Sequence, residues 1–315
     1  MNSFVTWFQK YDLRSYGIVY AVFVLFTIFS LISPAFLSFR NLHNIIDQTA
    51  EIGVIACAMS VVIIGGALDL SVGAIFAAAG SLAAIIARMG YPELGFVAAI
   101  LLGLFLGLVN GLVINFTGMN PFIATLSTSY AIRGIALVLT GGFLVMVNEP
   151  RFTIIGQEYF LSVKYPVFIF ITYAIFVSIF LHLTKFGRQI FAIGGSIEAS
   201  RLSGVRVGLI STVTFCLTGL SAGLASIITV SRISQGQSDL GAGLELDAIA
   251  ATVIGGTSIL GGQGAIWRTV LGVLMLRMIS NGFNMMNVPP FYQRMISGLI
   301  ILFAVTFDIF SKRKQ

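Results

Sequence analysis

Charge is scarce in this chain. Of 315 residues, 18 are Lys or Arg and 12 are Asp or Glu, 10% together, against about 25% in an ordinary soluble domain. With 57% hydrophobic residues it cannot clothe a folded core in a water-compatible surface, so a soluble globular domain is excluded and lipid becomes the solvent. Cysteine and histidine are almost missing. Cys57 and Cys216 lie inside apolar stretches with no CxxC or Cys/His spacing, which argues against both a disulfide and a metal site. His43 and His182 stand alone at helix ends, so an enzyme built on clustered His, Cys, Asp or Glu has no centre here. The phosphate-cradling pattern GxxxxGK[ST] is also absent; the chain is expected to bind no cofactor, and any ATP must sit on another subunit.

What remains is a series of long apolar runs. Stretches near 17–37, 45–64, 70–87, 94–117, 122–140, 166–183, 209–230, 246–256, 266–283 and 292–310 approach the roughly 20 residues that cross a bilayer, the eighth being short and irregular. The segment before the first run carries Lys10, Asp12 and Arg14 and no small-residue cleavage site, so that run is expected to be kept. Placing the N-terminus in the cytoplasm puts Lys10, Arg14, Lys185, Arg188, Arg201, Arg206, Arg268, Lys312, Arg313 and Lys314 inside. Arg40, Arg88, Arg151, Lys164, Arg232 and Arg294 then fall outside. The longer list belongs inside, as positive loops should. Both termini are therefore expected in the cytoplasm, and the net charge of +6 reflects topology and gives no hint of nucleic acid.

The chain repeats itself. SVVIIGGALDLSVGAIFAAAGSLAAI around residue 65 is similar to AATVIGGTSILGGQGAIWRTVLGVLM around residue 255. Asn110-Gly111 precedes Asn120-Pro121-Phe122 much as Asn281-Gly282 precedes Pro289-Pro290-Phe291. An odd number of spans per half inverts one half against the other, an arrangement that recurs in transporters. Gly103, Gly107 and Gly111, then Gly73, Ala77 and Ser81, and Gly219 with Gly223 recur every four residues. That spacing lets helices approach closely in lipid and needs no chemical role.

Polar residues are few enough to weigh singly. Asp69 and Ser71 join two apolar runs near the membrane face and read as N-caps of the third; for Asp69 a gating role stays open beside the structural one. The stretch 184–209, KFGRQIFAIGGSIEASRLSGVRVGL from Lys185 on, is the one densely charged loop, and a membrane chain that keeps such a loop is expected to grip something in water with it. Asn120, Phe122, Thr125, Ser127, Thr128, Ser129 and Tyr130 cluster hydroxyls, an amide and aromatic rings at the fifth run. They read as a path for a polar solute or, equally, as hydroxyls bonded to their own helix.

These residues carry a resemblance. Gly66-Ala67-Leu68-Asp69-Leu70-Ser71-Val72-Gly73, Pro121-Phe122-Ile123-Ala124-Thr125-Leu126, Arg133-Gly134, Ala192-Ile193-Gly194-Gly195, Arg201-Leu202-Ser203-Gly204-Val205, Glu245 to Ala251 and Asn281-Gly282-Phe283-Asn284 follow one another in order. From about residue 30 onward the chain resembles the permease subunits of monosaccharide ABC importers, the ribose-type permeases most closely. The resemblance implies an all-α polytopic membrane protein of about ten transmembrane helices in two inverted five-helix repeats, 1–165 and 166–315, like the vitamin B12-type importer permease. It implies a bacterial inner-membrane protein beside a second permease copy or paralogue, cytoplasmic ABC ATPase subunits that hold ATP and Mg, an extracytoplasmic sugar-binding protein and surrounding lipid.

By the same resemblance the loop between spans six and seven is a coupling helix. Ser196–Ser203 reads as that helix, N-capped by Ser196, with Glu198 and Arg201 placed as the macrodipole favours and Gly204 closing it. Glu198, Arg201, Leu202 and Gly204 are the expected ATPase contact, and Arg40, Arg151, Arg232 and Arg294 the expected docking face for the binding protein. The rival reading is an ion-coupled secondary transporter of a small polar solute. It needs ionisable groups deep in the bundle, for which Glu51, Arg133 and Arg277 are the candidates.

Overall fold

The computed structural model describes residues 16–289 together with 291–293, 295, 296, 298, 299, 302 and 306. Most of the tenth apolar run, Arg294, and the charged residues of both termini therefore lie outside the described residues.

The described chain is built of helices. They are α1 (Gly17–Ile32), a 3₁₀ turn (Pro34–Leu37), α2 (Phe39–Ile64), α3 (Val72–Arg88), α4 (Pro92–Thr117), α5 (Pro121–Thr140), α6 (Pro150–Gln157), α7 (Tyr165–Leu183), α8 (Lys185–Gly195), α9 (Ile197–Leu202), α10 (Val207–Ile233), α11 (Leu244–Ile254) and α12 (Ile266–Met285). Their boundaries follow from local chemistry. Proline opens the 3₁₀ turn, α4, α5, α6 and α7, where its missing N–H goes unused and its fixed φ suits the first turn. Gly118 and Gly141 close α4 and α5 at φ +67° and +63°, a conformation that costs glycine nothing. Among the described residues α2, α4, α5, α7 and α10 are long and apolar enough to cross a membrane, and α1 and α3 are shorter apolar helices. The protein is thus an all-α polytopic membrane protein.

Loops gather at two ends of the bundle. At one, β1 (Val145–Met146) pairs antiparallel with β4 (Gln235–Gly236), and β2 (Tyr159–Phe160) with β3 (Val163–Lys164). The guanidinium of Arg151 also reaches the Gly90 carbonyl there, at 3.3 Å. At the other end the Gly262 N–H donates to the Ile64 carbonyl at 2.8 Å. Asn115, Pro121, Ile197 and Arg201 border one cavity of about 260 Å³ at that end.

α2 and α10 form the interior. They are mostly buried, whereas α5 is mostly exposed. α10 lies against α4 through glycine: a Cβ on Gly103 would overlap the Gly219 carbonyl, one on Gly107 the Phe215 carbonyl, and one on Gly219 the Gly103 carbonyl. The small-residue spacing of the fourth and seventh runs is therefore one mutual contact, with backbone against backbone. Association in lipid lacks a hydrophobic drive, so such packing supplies the attraction.

One expectation needs correction. The stretches around Gly65 and Gly255 share a helix ending. Gly65 and Gly255 cap α2 and α11, Gly66 and Gly256 follow at φ +83° and +85°, and the hydrogen-bond pattern is the same. Yet α2 and α11 run side by side in one direction: Thr252 Oγ1 donates to the Ala56 carbonyl, and farther along Gly264 approaches both Ile64 and Thr257. An inverted pair would run oppositely, so this likeness is one capping motif used twice. Asp69 and Ser71, at the join of α2 and α3, are fully buried by protein. α3 has 17 residues and α11 only 11, about 26 and 17 Å at 1.5 Å per residue, so α11 is too short to cross a bilayer by itself, while α3 ends at exposed residues 88–91.

Gly219→Val is expected to push α10 off α4 and lower stability by about 1–3 kcal/mol or more, as overpacking does. Gly195→Ala, whose Cβ meets nothing within 4 Å, is expected to leave it unchanged or higher. Thermal unfolding of the detergent-purified variants checks both.

Candidate functional site

The charged loop folds as the spacing predicts. α8 begins at Thr184, whose hydroxyl accepts from the Gly187 N–H at 3.2 Å. α9 is capped by Ser196, which accepts from the Ala199 N–H at 3.2 Å, and Gly204 follows at φ +81°. Glu198 stands in its first turn and Arg201 in its last, the charge order the helix dipole favours. Leu202 is 90% exposed. A leucine so bare in water gains when a partner covers it, about 1.5–3 kcal/mol on full burial. Behind α9 lies the cavity of about 260 Å³, walled by Gly65, Gly66 and Ala67 as well as Arg201, so the loop adjoins the segment between α2 and α3.

That segment, residues 65–71, is where the buried polar groups converge. The Asp69 carboxylate accepts from the Ser71 N–H at 2.9 Å and Ser71 Oγ at 2.5 Å through one oxygen, and from Thr218 Oγ1 at 2.5 Å through the other. Asn110 Nδ2 donates to Ser71 Oγ at 2.7 Å, and the Leu70 N–H donates to Thr125 Oγ1 at 3.1 Å. Helices α4, α5 and α10 thus hold one short non-helical strand of chain. The capping expectation is half met: Ser71 occupies the N-cap position of α3, but its side chain makes no cap bond and is spent on Asp69 and Asn110. A buried carboxylate persists only when donors replace its lost water, and here it has three.

The solute-path candidates divide. Thr125 is fully buried and faces the Asp69 cluster, so it leaves the outer face of α5. Phe122 and Tyr130 are 45% and 76% exposed, and Ser127 is exposed as well. Asn120 caps α5 by accepting from the Phe122 N–H at 2.9 Å. Ser127 and Thr128 donate to the carbonyls of Ile123 and Thr125, as lone hydroxyls on helices do; Ser129 is half-buried.

The outer arginines also divide. Arg151 is exposed, 3.1 Å from Glu93 and 2.9 Å from Glu149, and its guanidinium holds the Glu149 carboxyl below the usual carboxylate range. Arg40 is exposed. Arg232 lies 3.6 Å from Asp47 and 3.8 Å from Glu51, while Lys164 holds Asp47 at 2.9 Å. Arg232 is therefore committed inside the protein, which removes it as a free docking residue. Arg133, a candidate of the ion-coupled reading, donates to the Ser238 carbonyl at 3.1 Å. The four-residue spacing of Asp47 and Glu51 puts two acids on one helix face, a signal that sequence reasoning passed over. Thr218 carried no such signal, because 149 residues separate it from Asp69.

Comparison with known proteins gives this arrangement a family. Residues 41–305 match the family described as branched-chain amino acid transport system / permease component, and the chain belongs to it. It is 39% identical over 302 residues to the ribose import permease protein of Bacillus subtilis (strain 168), covering 94% of this chain and 93% of that one. It is 39% identical to the ribose import permease protein of Escherichia coli (strain K12) over 96% of each chain. The L-arabinose ABC transporter permease protein of Azospirillum brasilense is 37% identical over 95% of this chain and 88% of its own. No solved structure matches.

Thr218→Val removes one donor from a buried carboxyl and is expected to cost about 1–3 kcal/mol, because the acceptor is left buried with one hydrogen bond fewer. Thr218→Ser keeps the hydroxyl and is expected to retain most of the stability. Unfolding temperatures of the two variants, compared side by side in one detergent, measure the difference.

Proposed function

We propose that this chain is the membrane-spanning permease subunit of an ATP-driven ABC importer that moves a monosaccharide of the ribose or arabinose class into the cytoplasm of a bacterium. The near full-length likeness to ribose and arabinose permeases supports the solute, and it outweighs the amino-acid wording of the broader family because it is closer in kind. The chain is not an enzyme; ATP and Mg belong to a separate ATPase subunit. The observation that carries the coupling role is α9: a capped helix on the aqueous end, with Leu202 bare between charges of both signs.

The end that bears Lys185, Arg188, Arg201 and Arg206 is the cytoplasmic one by the positive-inside rule. Ten spans in two inverted halves are supported by the second sequence correspondence. Asn110-Gly111 lies in α4 and Pro121-Phe122 opens α5, and their counterparts fall in α12 and just after it. The exposed face of α5, with Phe122, Ser127 and Tyr130, suits a second permease copy or paralogue with the solute path between them. At the opposite end Arg40 and Arg151 remain exposed for a sugar-binding protein.

The Asp69 cluster then links the two working parts. Four residues after α9 the chain enters α10, which carries Thr218, and Thr218 holds Asp69. The neighbouring Leu70 N–H is held by Thr125 of α5. Movement of α9 under the ATPase reaches the path helix through Thr218, Asp69 and Thr125, which is the gating role for Asp69 and Ser71.

Glu198→Lys combined with Arg201→Glu is expected to leave membrane insertion and ATP hydrolysis by the assembled complex in place. Uptake of labelled ribose or arabinose should fall at least about tenfold, the scale of an interface hot spot. Normal uptake would sink the coupling assignment. Uptake by the chain alone, driven by an ion gradient without ATPase, would replace the importer with an ion-coupled transporter.

A further inference from the structure

We propose that the cavity between the first turns of α2 and α7 is a binding site for a membrane phospholipid, with the lipid phosphate at Arg40 and His43. The cavity, about 760 Å³, is lined by these two residues at the start of α2, by the Lys164–Asp47 pair, and by Ile46, Val167 and Ile171. This inference rests on the membrane placement of the bundle and is independent of what the protein transports.

Charge comes first. Lys164 and Arg232 are matched by Asp47 and Glu51, two cations for two acids. Arg40 makes no ion pair among the described residues and leaves one positive charge over at the mouth. An exposed guanidinium with no protein acceptor has the fork geometry that a phosphate oxygen pair fills. The His43 ring lies 4.1 Å from that of Phe39 and offers a ring N–H one turn along the same helix.

Polarity then changes with depth. Lys164 meets Asp47, seven residues beyond Arg40 and one beyond Ile46, and Ile171 lies a further seven residues along α7, about 10 Å. Ile171 is 48% exposed, so the floor of the cavity is open and apolar where the mouth is polar. A glycerophosphate with an acyl chain below it has the same order of groups. The rim fixes the level in the membrane: Phe39, Tyr159, Phe160 and Leu161 are 73%, 59%, 52% and 81% exposed. Large apolar side chains on loops at helix ends are costly in water and favourable at the headgroup boundary, where aromatic belts form. Lipid is the occupant that meets all three conditions. Arg40 is thereby removed from the docking face, and Arg151 remains there.

Native mass spectrometry of the detergent-purified protein, titrated separately with phosphatidylglycerol and with inorganic phosphate, tests the site. Phosphatidylglycerol is expected to bind the unaltered chain. Arg40→Gln with His43→Gln should weaken it about tenfold, and Ile171→Trp, which fills the floor, should weaken it too. Arg151→Gln, an exposed arginine at the same end but outside the cavity, should leave binding unchanged. Equal lipid binding by all variants would overturn the site. Inorganic phosphate that binds Arg40 as tightly as the lipid, with no effect of Ile171→Trp, would also overturn it, since the cavity would then hold a free anion.

Discussion

A carboxylate that loses its water must be given donors in return, and much of this structure answers to the one at Asp69. Its three hydrogen bonds come from its own segment and from α10, while the amide of Asn110 and the hydroxyl of Thr125 secure Ser71 and Leu70, the two residues that follow it. No positive side chain appears among these bonds. A neutral donor set costs less desolvation than a buried ion pair, which must strip water from two charges. It also draws α4, α5 and α10 to one short stretch of backbone that no helix satisfies. Asp69 and Ser71 are tolerable outside a helix because protein, and not lipid, buries them.

That constraint shapes the rest of the bundle. Since α11 is too short to cross unaided, its flanking segments need polar partners and close backbone contacts. The turn after α11 finds them in Ile64 and Gly194, with Gly261 and Gly262 at φ +88° and +73° fitting against backbone. The long helices α4 and α10 supply the frame through their glycine seam. Interior rigidity is thus concentrated around α2 and α10, whereas α5 presents its apolar and aromatic face outward. A face of that kind on a permease is suited to a partner that moves relative to it.

The two charged regions differ in character. On the α9 end the charges are exposed on a capped helix and free to meet another protein. On the opposite end Asp47, Glu51, Lys164 and Arg232 are partly buried and neutralise one another's charge. Exposed pairs such as Arg151–Glu93 contribute little to stability and are easily exchanged for a partner's charges. The half-buried group cannot be exchanged without leaving an unpaired charge behind, so it ties α2, the β2–β3 hairpin and α10 together.

Local physics made much of this legible from the residues alone. Run length and the scarcity of charge define the membrane class, proline and glycine mark where helices begin and end, and Ser196 with Gly204 announces α9 without reference to anything distant. The glycine spacing reveals that close contacts exist but cannot say which helices make them, because a spacing of four describes one helix face only. Contacts across long separations were decided by the tertiary fold: Thr218 to Asp69, Thr125 to Leu70, Arg232 to Asp47. It turned Thr125 inward, withdrew Arg232 from the surface and set α2 parallel to α11, where a shared motif had suggested inversion. A side chain's partner in lipid depends on depth and on which helix lies alongside, and neither quantity is written in the order of residues along one chain.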